Sequence, residues 1–364
     1  MSGPYVLDAR RRSSRFCFNC WERWENQQDR TVRLVAALGC RLNRWILQRR
    51  VAGRASPPER PFILSVGNLR LGGTGKTPVV IQLASELGQR GFVGVVLTRG
   101  YGSAAAGPLR VDPATTEAGD EARVMAAQLV DWIIWQARDR AAGLRAALAA
   151  DPDTAVVILE DGFQTAGIPR HLDMVILDRW HNENGLIIPQ TGLPLPWGPY
   201  REDATGAQRA AVWLVETKEP ITDKLRGRAS NGPVPVIPFR RIVSLPTESA
   251  AGRAGPFATV AGIANPTHFE QMCTDLLGRQ PEVAARFDDH VKYSAGQVAD
   301  LLAAGAAHGI RHWLTTAKDH IKLVELWPAD IPLWPVSLTL EWSGTETLPD
   351  LVEERYLKNT SGRV

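Results

Sequence analysis

At 364 residues the chain is long enough for two domains, each with its own core. Hydrophobic residues make up 44% of it and charged residues 22%, which excludes wholesale disorder. A net charge of +3 gives no reason to expect nucleic acid, and no run of roughly eighteen apolar residues suggests a membrane span.

Four cysteines (Cys17, Cys20, Cys40 and Cys273) are too few and too scattered for a disulfide framework. Cys17 and Cys20 form a C-x-x-C with no second pair, short of the four ligands that structural zinc takes. Reduced thiols are the expectation. The first residues lack the basic-then-apolar order of a secretory signal, so the expected place is the cytosolic side.

In chain order, the first patterned segment runs from Thr31 to Arg50. Val35, Leu38, Leu42, Trp45 and Ile46 recur at three- and four-residue steps, with six arginines and no acid between Arg30 and Arg50. A basic amphipathic helix of this kind can lie in the headgroups of an anionic membrane. The same pattern fits a helix packed on the protein's own core with its arginines solvated.

From Pro61 the chain alternates short apolar runs with helical stretches. Phe62 to Val66 reads as a strand, followed by a Gly-rich turn and a helix beginning near Thr77. Val93 to Thr98 is the next strand, and a helix is expected around Asp120 to Trp135. Ala155 to Leu159, Met174 to Leu177 and Ala211 to Val215 are further buried strands. This rhythm predicts an α/β fold, a parallel sheet sandwiched by helices.

Glu219 to Gly255 is rich in Pro and Gly and reads as a linker, and a smaller α/β domain follows. Phe257 to Ile263 is its first strand, and Asn265-Pro266 opens a helix. Ser294 and Gln297 form a capping box, and His312 to Thr316 is another strand. The expected division is an N-terminal basic segment 1–55, a first α/β domain 56–222, a linker 223–255, a second domain 256–345 and a frayed polar tail 346–364.

The strongest chemical signal is GGTGKTP, Gly72 to Pro78, between a strand and a helix. Gly72, Gly73, Thr74 and Gly75 let the backbone curl so that its N–H groups converge on phosphate oxygens. Lys76 can reach the β- and γ-phosphates, and the Thr77 hydroxyl can bind Mg²⁺. The strict G-x-x-x-x-G-K-[ST] pattern wants glycine at position 70, where Arg70 stands. A P-loop also needs an acid at the end of a neighbouring strand to hold the metal, and Glu160-Asp161 offers one. Adjacent side chains on a strand point to opposite faces, so both reach one ion only if the strand breaks there, as Gly162 would allow.

Together these segments resemble the tetraacyldisaccharide 4′-kinase family, the P-loop kinases of lipid A biosynthesis. SVGNLRLGGTGKTP (Ser65 to Pro78) is similar to that family's phosphate loop, which also lacks the first glycine. TRGYG (Thr98 to Gly102), GDEA (Gly119 to Ala122), EDGFQ (Glu160 to Gln164) and NGLIIP (Asn184 to Pro189) follow in the family's order. So do YRE (Tyr200 to Glu202), AGIANPTHF (Ala261 to Phe269), DDH (Asp288 to His290) and TTAKD (Thr315 to Asp319).

The resemblance implies an ATP- and Mg²⁺-dependent kinase that phosphorylates the 4′-hydroxyl of a tetraacyl disaccharide 1-phosphate. It implies a peripheral enzyme on the cytoplasmic face of the inner membrane, with a glycolipid substrate and an anionic membrane surface as partners. The family's candidate base falls on Asp120 and the histidine that pairs with it on His290; a carboxylate so placed can accept the hydroxyl proton. Arg99, Tyr101, Gln164, Arg201 and Glu202 fall on positions near the substrate. Asp120 is equally able to cap the helix behind it, and Arg99 to pair with a nearby acid. Where the family usually reads D-D-G-F-Q-H, this chain has Glu160 first and Thr165 last, and the segment Gln190 to Tyr200 is longer and richer in proline. Those departures keep open a P-loop kinase of another glycolipid or sugar, or a nucleotide-binding paralogue of reduced activity.

Overall fold

The computed structural model describes residues 4–10, 39, 46, 49, 56–72, 74–183, 186–195, 198–217, 234–246, 255–343 and 346–361. The expected amphipathic helix over Thr31 to Arg50 lies outside these, apart from Gly39, Ile46 and Arg49, which are helical. Cys17, Cys20, Cys40 and Gly73 also lie outside them.

The chain forms two compact units. The smaller takes the described residues of Met1–Cys20 and Ile242–Thr339, and the larger those of Trp21–Arg241 and Leu340–Val364. Strand β1 (Tyr5–Asp8) belongs to the smaller unit. The larger unit then runs through β2 (Phe62–Asn68), α1 (Lys76–Gln89), β3 (Gly94–Thr98), β4 (Leu109–Val111), α2 (Asp120–Gln128) and β5 (Trp132–Gln136). It continues with α3 (Arg140–Ala150), β6 (Val156–Glu160), β7 (Leu172–Leu177), the hairpin β8 (Trp180–Glu183) and β9 (Leu186–Pro189), and β10 (Val212–Glu216). The division falls within β11 (Val236–Ser244).

The strand order in the larger unit is β11-β10-β7-β2-β6-β3-β5-β4, parallel throughout except for antiparallel β4. Every residue of β2, β3 and β6 is buried, as a strand covered by helices on both faces demands. Ile63, Val95, Leu97, Val157 and Leu159 pack with Ala147 of α3 into one core, and each buried aliphatic side chain there contributes about 1.5–3 kcal/mol. Strands β6 and β7 flank β2, with Glu160 in register with Val66. The loops that leave β2 and β6 therefore open on the same carboxyl edge, where ligands of such sheets bind.

The smaller unit completes β1 with β12 (Phe257–Ala261), α4 (Pro266–Leu277), β13 (Val283–Arg286), α5 (Ala295–Ala307), β14 (His312–Thr316), α6 (Ala317–Leu323) and β15 (Leu333–Trp342), whose last residues belong to the larger unit. Its strand order is β1-β13-β12-β14-β15, all parallel. The Asn265 side chain accepts from His268 N, and the capping box of Ser294 and Gln297 is present.

Three expectations need correction. The helix expected through Trp135 ends at Gln128, and Trp132–Gln136 is a strand, because a five-residue aromatic and β-branched run suits a pleated sheet better than a helix end. The segment expected as a frayed polar tail is helix α7 (Leu348–Ser361). It buries Leu348, Leu351 and Val352, one face of a helix, and its acids pair with Arg90 of the same unit at 2.6 and 2.8 Å. The first expected segment, 1–55, contains strand β1, which pairs parallel with β13. Among the described residues no helix is long and apolar enough to cross a membrane.

Candidate active site

The phosphate loop leaves β2 after Asn68. Arg70 bridges to Tyr200 in antiparallel register, and Leu71 N donates to Pro199 O at 2.7 Å. Position 70 thus prolongs the strand instead of curling, which is why a side chain is tolerated where the strict pattern has glycine. Gly72 (φ 104°) and Gly75 (φ 85°) then take left-handed backbone. Gly75 is the residue before α1, Lys76 is the first of the helix and Thr77 follows in its first turn, so the helix N-terminus faces the loop. The buried Asn68 amide donates to Thr74 Oγ1 at 2.6 Å.

The acid loop leaves β6 next door. The strand does break, and it does so at Asp161 itself, whose φ is +56°. A side chain is rarely held there, so the turn is sustained by its surroundings. Gly162 packs so tightly that a Cβ on it would come within 2.6 Å of Leu159 Cβ and 2.8 Å of Ser65 Cβ. The turn separates the two acids. Glu160 is 3% exposed and accepts from Thr98 Oγ1 at 2.9 Å. Asp161 lies 3.6 Å from Lys76 Nζ and takes a two-pronged pair of bonds from Arg201 at 2.7 and 2.8 Å.

Their electrostatics diverge accordingly. Burial, with the Glu121 and Asp161 carboxylates adding to it, pushes the Glu160 carboxyl up to about 7. Burial would raise Asp161 too, but Lys76 first and Arg201 next outweigh it and hold that carboxyl below its ordinary value. The two acids are one residue apart and sit on opposite sides of the usual range.

A layer of arginines and amides holds the acid loop. Arg140 is fully enclosed and binds the carbonyl of Leu97, at the end of β3, and that of Glu160 at 2.5 Å. Its burial lowers its own pKa to about 10, against the pull of Glu160 and Asp161. Arg170, whose side chain is 1% exposed, grips Asp173 at 2.6 and 3.2 Å. It also binds the carbonyls of Thr165, Ile168 and Phe163 at 3.0, 3.1 and 3.3 Å. Gln164 donates to Asn68 O at 2.8 Å and to Glu202 at 2.7 Å, joining the acid loop to the end of β2. Glu202 is buried and also takes two bonds from Arg209, at 2.7 and 3.0 Å. Gln164, Arg201 and Glu202 therefore meet as a network behind Asp161.

Arg99 and Tyr101 are exposed on the loop after β3, Tyr101 at 74%. Buried Gln136 ties this loop to the start of α2: it donates to Ser103 Oγ at 2.9 Å and accepts from Gly119 N at 2.7 Å. Asp120 is the first residue of α2; the cap position is Gly119, with no side-chain cap bond. In the smaller unit His290 has φ +60°, and its Nε2 lies 3.4 Å from Lys318 Nζ, which binds Asp289 at 2.7 Å. Asp120 and His290 belong to different units.

Sequence reasoning notes Arg138 and Arg140 only as features favouring a different acceptor, and gives no role to Asn68, Gln136, Arg170 and Arg209, whose partners lie outside any local motif.

The family model for tetraacyldisaccharide-1-P 4′-kinase matches residues 31–356. The tetraacyldisaccharide 4′-kinase of Phenylobacterium zucineum is 38% identical over 86% of this chain and 92% of its own. That of Rhodospirillum centenum is 35% identical over 84% and 86%. In fold, the chain is similar to LpxK from Aquifex aeolicus, a crystal structure described in complex with ATP, with TM-score 0.64 and 22% identity over 90% of this chain and 98% of that one. Matches of this extent run through both loops and both units, and the chain belongs to the tetraacyldisaccharide 4′-kinase family.

Proposed function

We propose that this protein transfers the γ-phosphoryl group of ATP to the 4′-hydroxyl of a tetraacyl disaccharide 1-phosphate. The observation that carries the reading is the 3.6 Å approach of Lys76 in the phosphate loop to Asp161 in the acid loop. That approach supports reading the loop after β2 as the triphosphate site and the acids after β6 as its metal site. The donor set fits a hard divalent cation: a hydroxyl on Thr77, a buried carboxylate on Glu160 and a second on Asp161.

Gly72 to Gly75 and the start of α1 hold the β- and γ-phosphates through backbone N–H groups, and Lys76 neutralises them. Thr77, Glu160 and Asp161 would hold Mg²⁺, which would supply charge neutralisation on the phosphates. Asp120 accepts the proton of the attacking hydroxyl; His290, on the smaller unit, is assigned a catalytic role from the family's motif alone. Arg99 and Tyr101, exposed on the loop that Gln136 ties to Gly119 beside Asp120, meet the anionic acceptor. Arg201, Gln164 and Glu202 keep Asp161 in its left-handed turn facing Lys76. A glycolipid acceptor places the enzyme at an anionic membrane surface, peripherally on the cytoplasmic face of the inner membrane.

Incubation of the enzyme with Mg·ATP and tetraacyl disaccharide 1-phosphate in detergent micelles, with phosphorus NMR of the product, tests this. A new phosphomonoester at the 4′ position is expected. A folded, ATP-binding protein that leaves the acceptor unmodified overturns it. Asp120→Asn is expected to lower kcat by about 10²- to 10⁴-fold with little change in ATP affinity; the reverse split moves Asp120 to nucleotide binding.

A further inference from the structure

Arg241 has no place in the motifs above, yet it touches the phosphate loop. Its Nη2 donates to the carbonyl of Thr74 at 3.2 Å, across 167 positions of sequence. The guanidinium is held from behind by Glu216, at the end of β10, at 3.1 Å. Its side chain is 21% exposed, enough burial for a fixed position.

The consequence follows from the planarity of the peptide. In a trans peptide the carbonyl and the next N–H point in opposite directions. With the Thr74 carbonyl pinned to Arg241, the N–H of Gly75 points to the other face of the loop. Residue 75 is the last glycine of the phosphate-loop pattern, and the N–H groups of such a loop are what hold the phosphates. Thr74 is pinned a second time, since Asn68 donates to its hydroxyl. Together the two contacts fix Thr74 through both its hydroxyl and its carbonyl.

The φ of +85° at Gly75 disfavours any side chain, and a Cβ there would also stand 2.5 Å from Arg241 Nη2, so the guanidinium is seated directly against this glycine.

We propose that Arg241 is a positioning residue for the phosphate cradle: through the Thr74 carbonyl, with Glu216 as its anchor, it presents the Gly75 N–H to the nucleotide's phosphates. This rests on the reading of Gly72 to Thr77 as the nucleotide loop. The role is pre-organisation, so it acts on nucleotide affinity and leaves the acceptor alone.

Full-length Arg241→Ala, Arg241→Lys and Glu216→Gln, with Lys76→Ala as reference, are compared in ADP and ATP binding by calorimetry and in transfer kinetics. Arg241→Ala is expected to weaken ADP and ATP binding alike by about ten- to a hundredfold, the worth of one charged hydrogen bond. The KM for ATP rises in step and the KM for acceptor stays put. Arg241→Lys, which keeps a donor, recovers part of the loss, and Glu216→Gln falls between. Nucleotide affinity unchanged in Arg241→Ala, while Lys76→Ala still destroys it, overturns the proposal and leaves the loop reading intact. Parallel rises in both KM values with a lowered Tm also overturn it, as the mark of a merely structural residue. Nucleotide affinity unchanged in Lys76→Ala as well sinks the loop reading itself.

Discussion

The loop after β2 and the loop after β6 leave neighbouring parallel strands at one edge of the sheet, and they are built on different principles. The phosphate loop is a backbone device. Its conformation comes from Gly72 and Gly75 in left-handed regions and from the helix behind them, so its chemistry is written in consecutive residues. The acid loop is a side-chain device. Asp161 holds a backbone conformation that asparagine or glycine would adopt more readily, and Arg201, Arg140, Arg170 and Gln164 enclose it. A loop of the first kind shows its glycines and helix start in consecutive residues and takes one distant prop, Arg241 on the Thr74 carbonyl, whereas one of the second kind rests mainly on distant side chains, such as Arg201 40 positions from Asp161.

The contrast sets which variants break which loop. Lys76→Ala removes the one charged side chain that the phosphate loop aims at the acid loop. It is expected to reduce phosphoryl transfer by at least about 10³-fold with the fold retained, read as turnover alongside circular dichroism. Wild-type turnover would dissolve the comparison.

Arg170→Ala attacks the other loop without touching any phosphate-binding group. Asp173, which keeps Ser65 Oγ as a donor, and three carbonyls lose the guanidinium at once, which should cost about 1–3 kcal/mol of stability. Transfer should fall with weakened Mg²⁺ dependence, while ADP binding without metal stays near wild type. Loss of metal-free ADP binding to the same degree would mean that the loops are not separately built.

A smaller effect separates the two acids by pH. With its carboxyl pushed up to about 7, Glu160 is protonated in acid and competes with the metal for its own charge. Mg²⁺ affinity should fall by up to about tenfold for each pH unit below 7 and level off above it. Without metal the sign is opposite. The stability contributed by the neutral buried acid is full below its ordinary 4.5 and is lost as pH rises through about 7. Glu160→Gln should flatten both profiles in titration calorimetry and thermal unfolding; an unaltered Mg²⁺ profile would shift metal binding to Asp161.

The same division governs what could be read from sequence. Phe62 to Val66, the GGTGKTP run and His312 to Thr316 declare themselves through local pattern, and the last matches its strand residue for residue. The caps at Asn265 and Ser294 do likewise. Helix α7 escapes local reading because its buried face is only Leu348, Pro349, Leu351 and Val352 in a polar stretch, although Thr347 and Asp350 bond each other as a cap. At the site, Glu160 and Asp161 were visible as acids at a strand end, but their opposite environments were not. Burial and the approach of Arg201, Lys76 and Thr98 decide those, and all three lie far off in sequence. Glu202 shows the limit from the other side: grouped with residues near the substrate, it is buried against Arg209 and Gln164.

The central claim is that the two loops make one site. A double-mutant cycle on Lys76→Ala and Asp161→Asn, read as the binding of Mg·ATP by calorimetry, tests it most directly. The account predicts that the double variant loses less affinity than the sum of the singles, with a coupling of about 1–3 kcal/mol. Losses that add to within about 0.5 kcal/mol would contradict it, because residues serving separate sites do not know of each other.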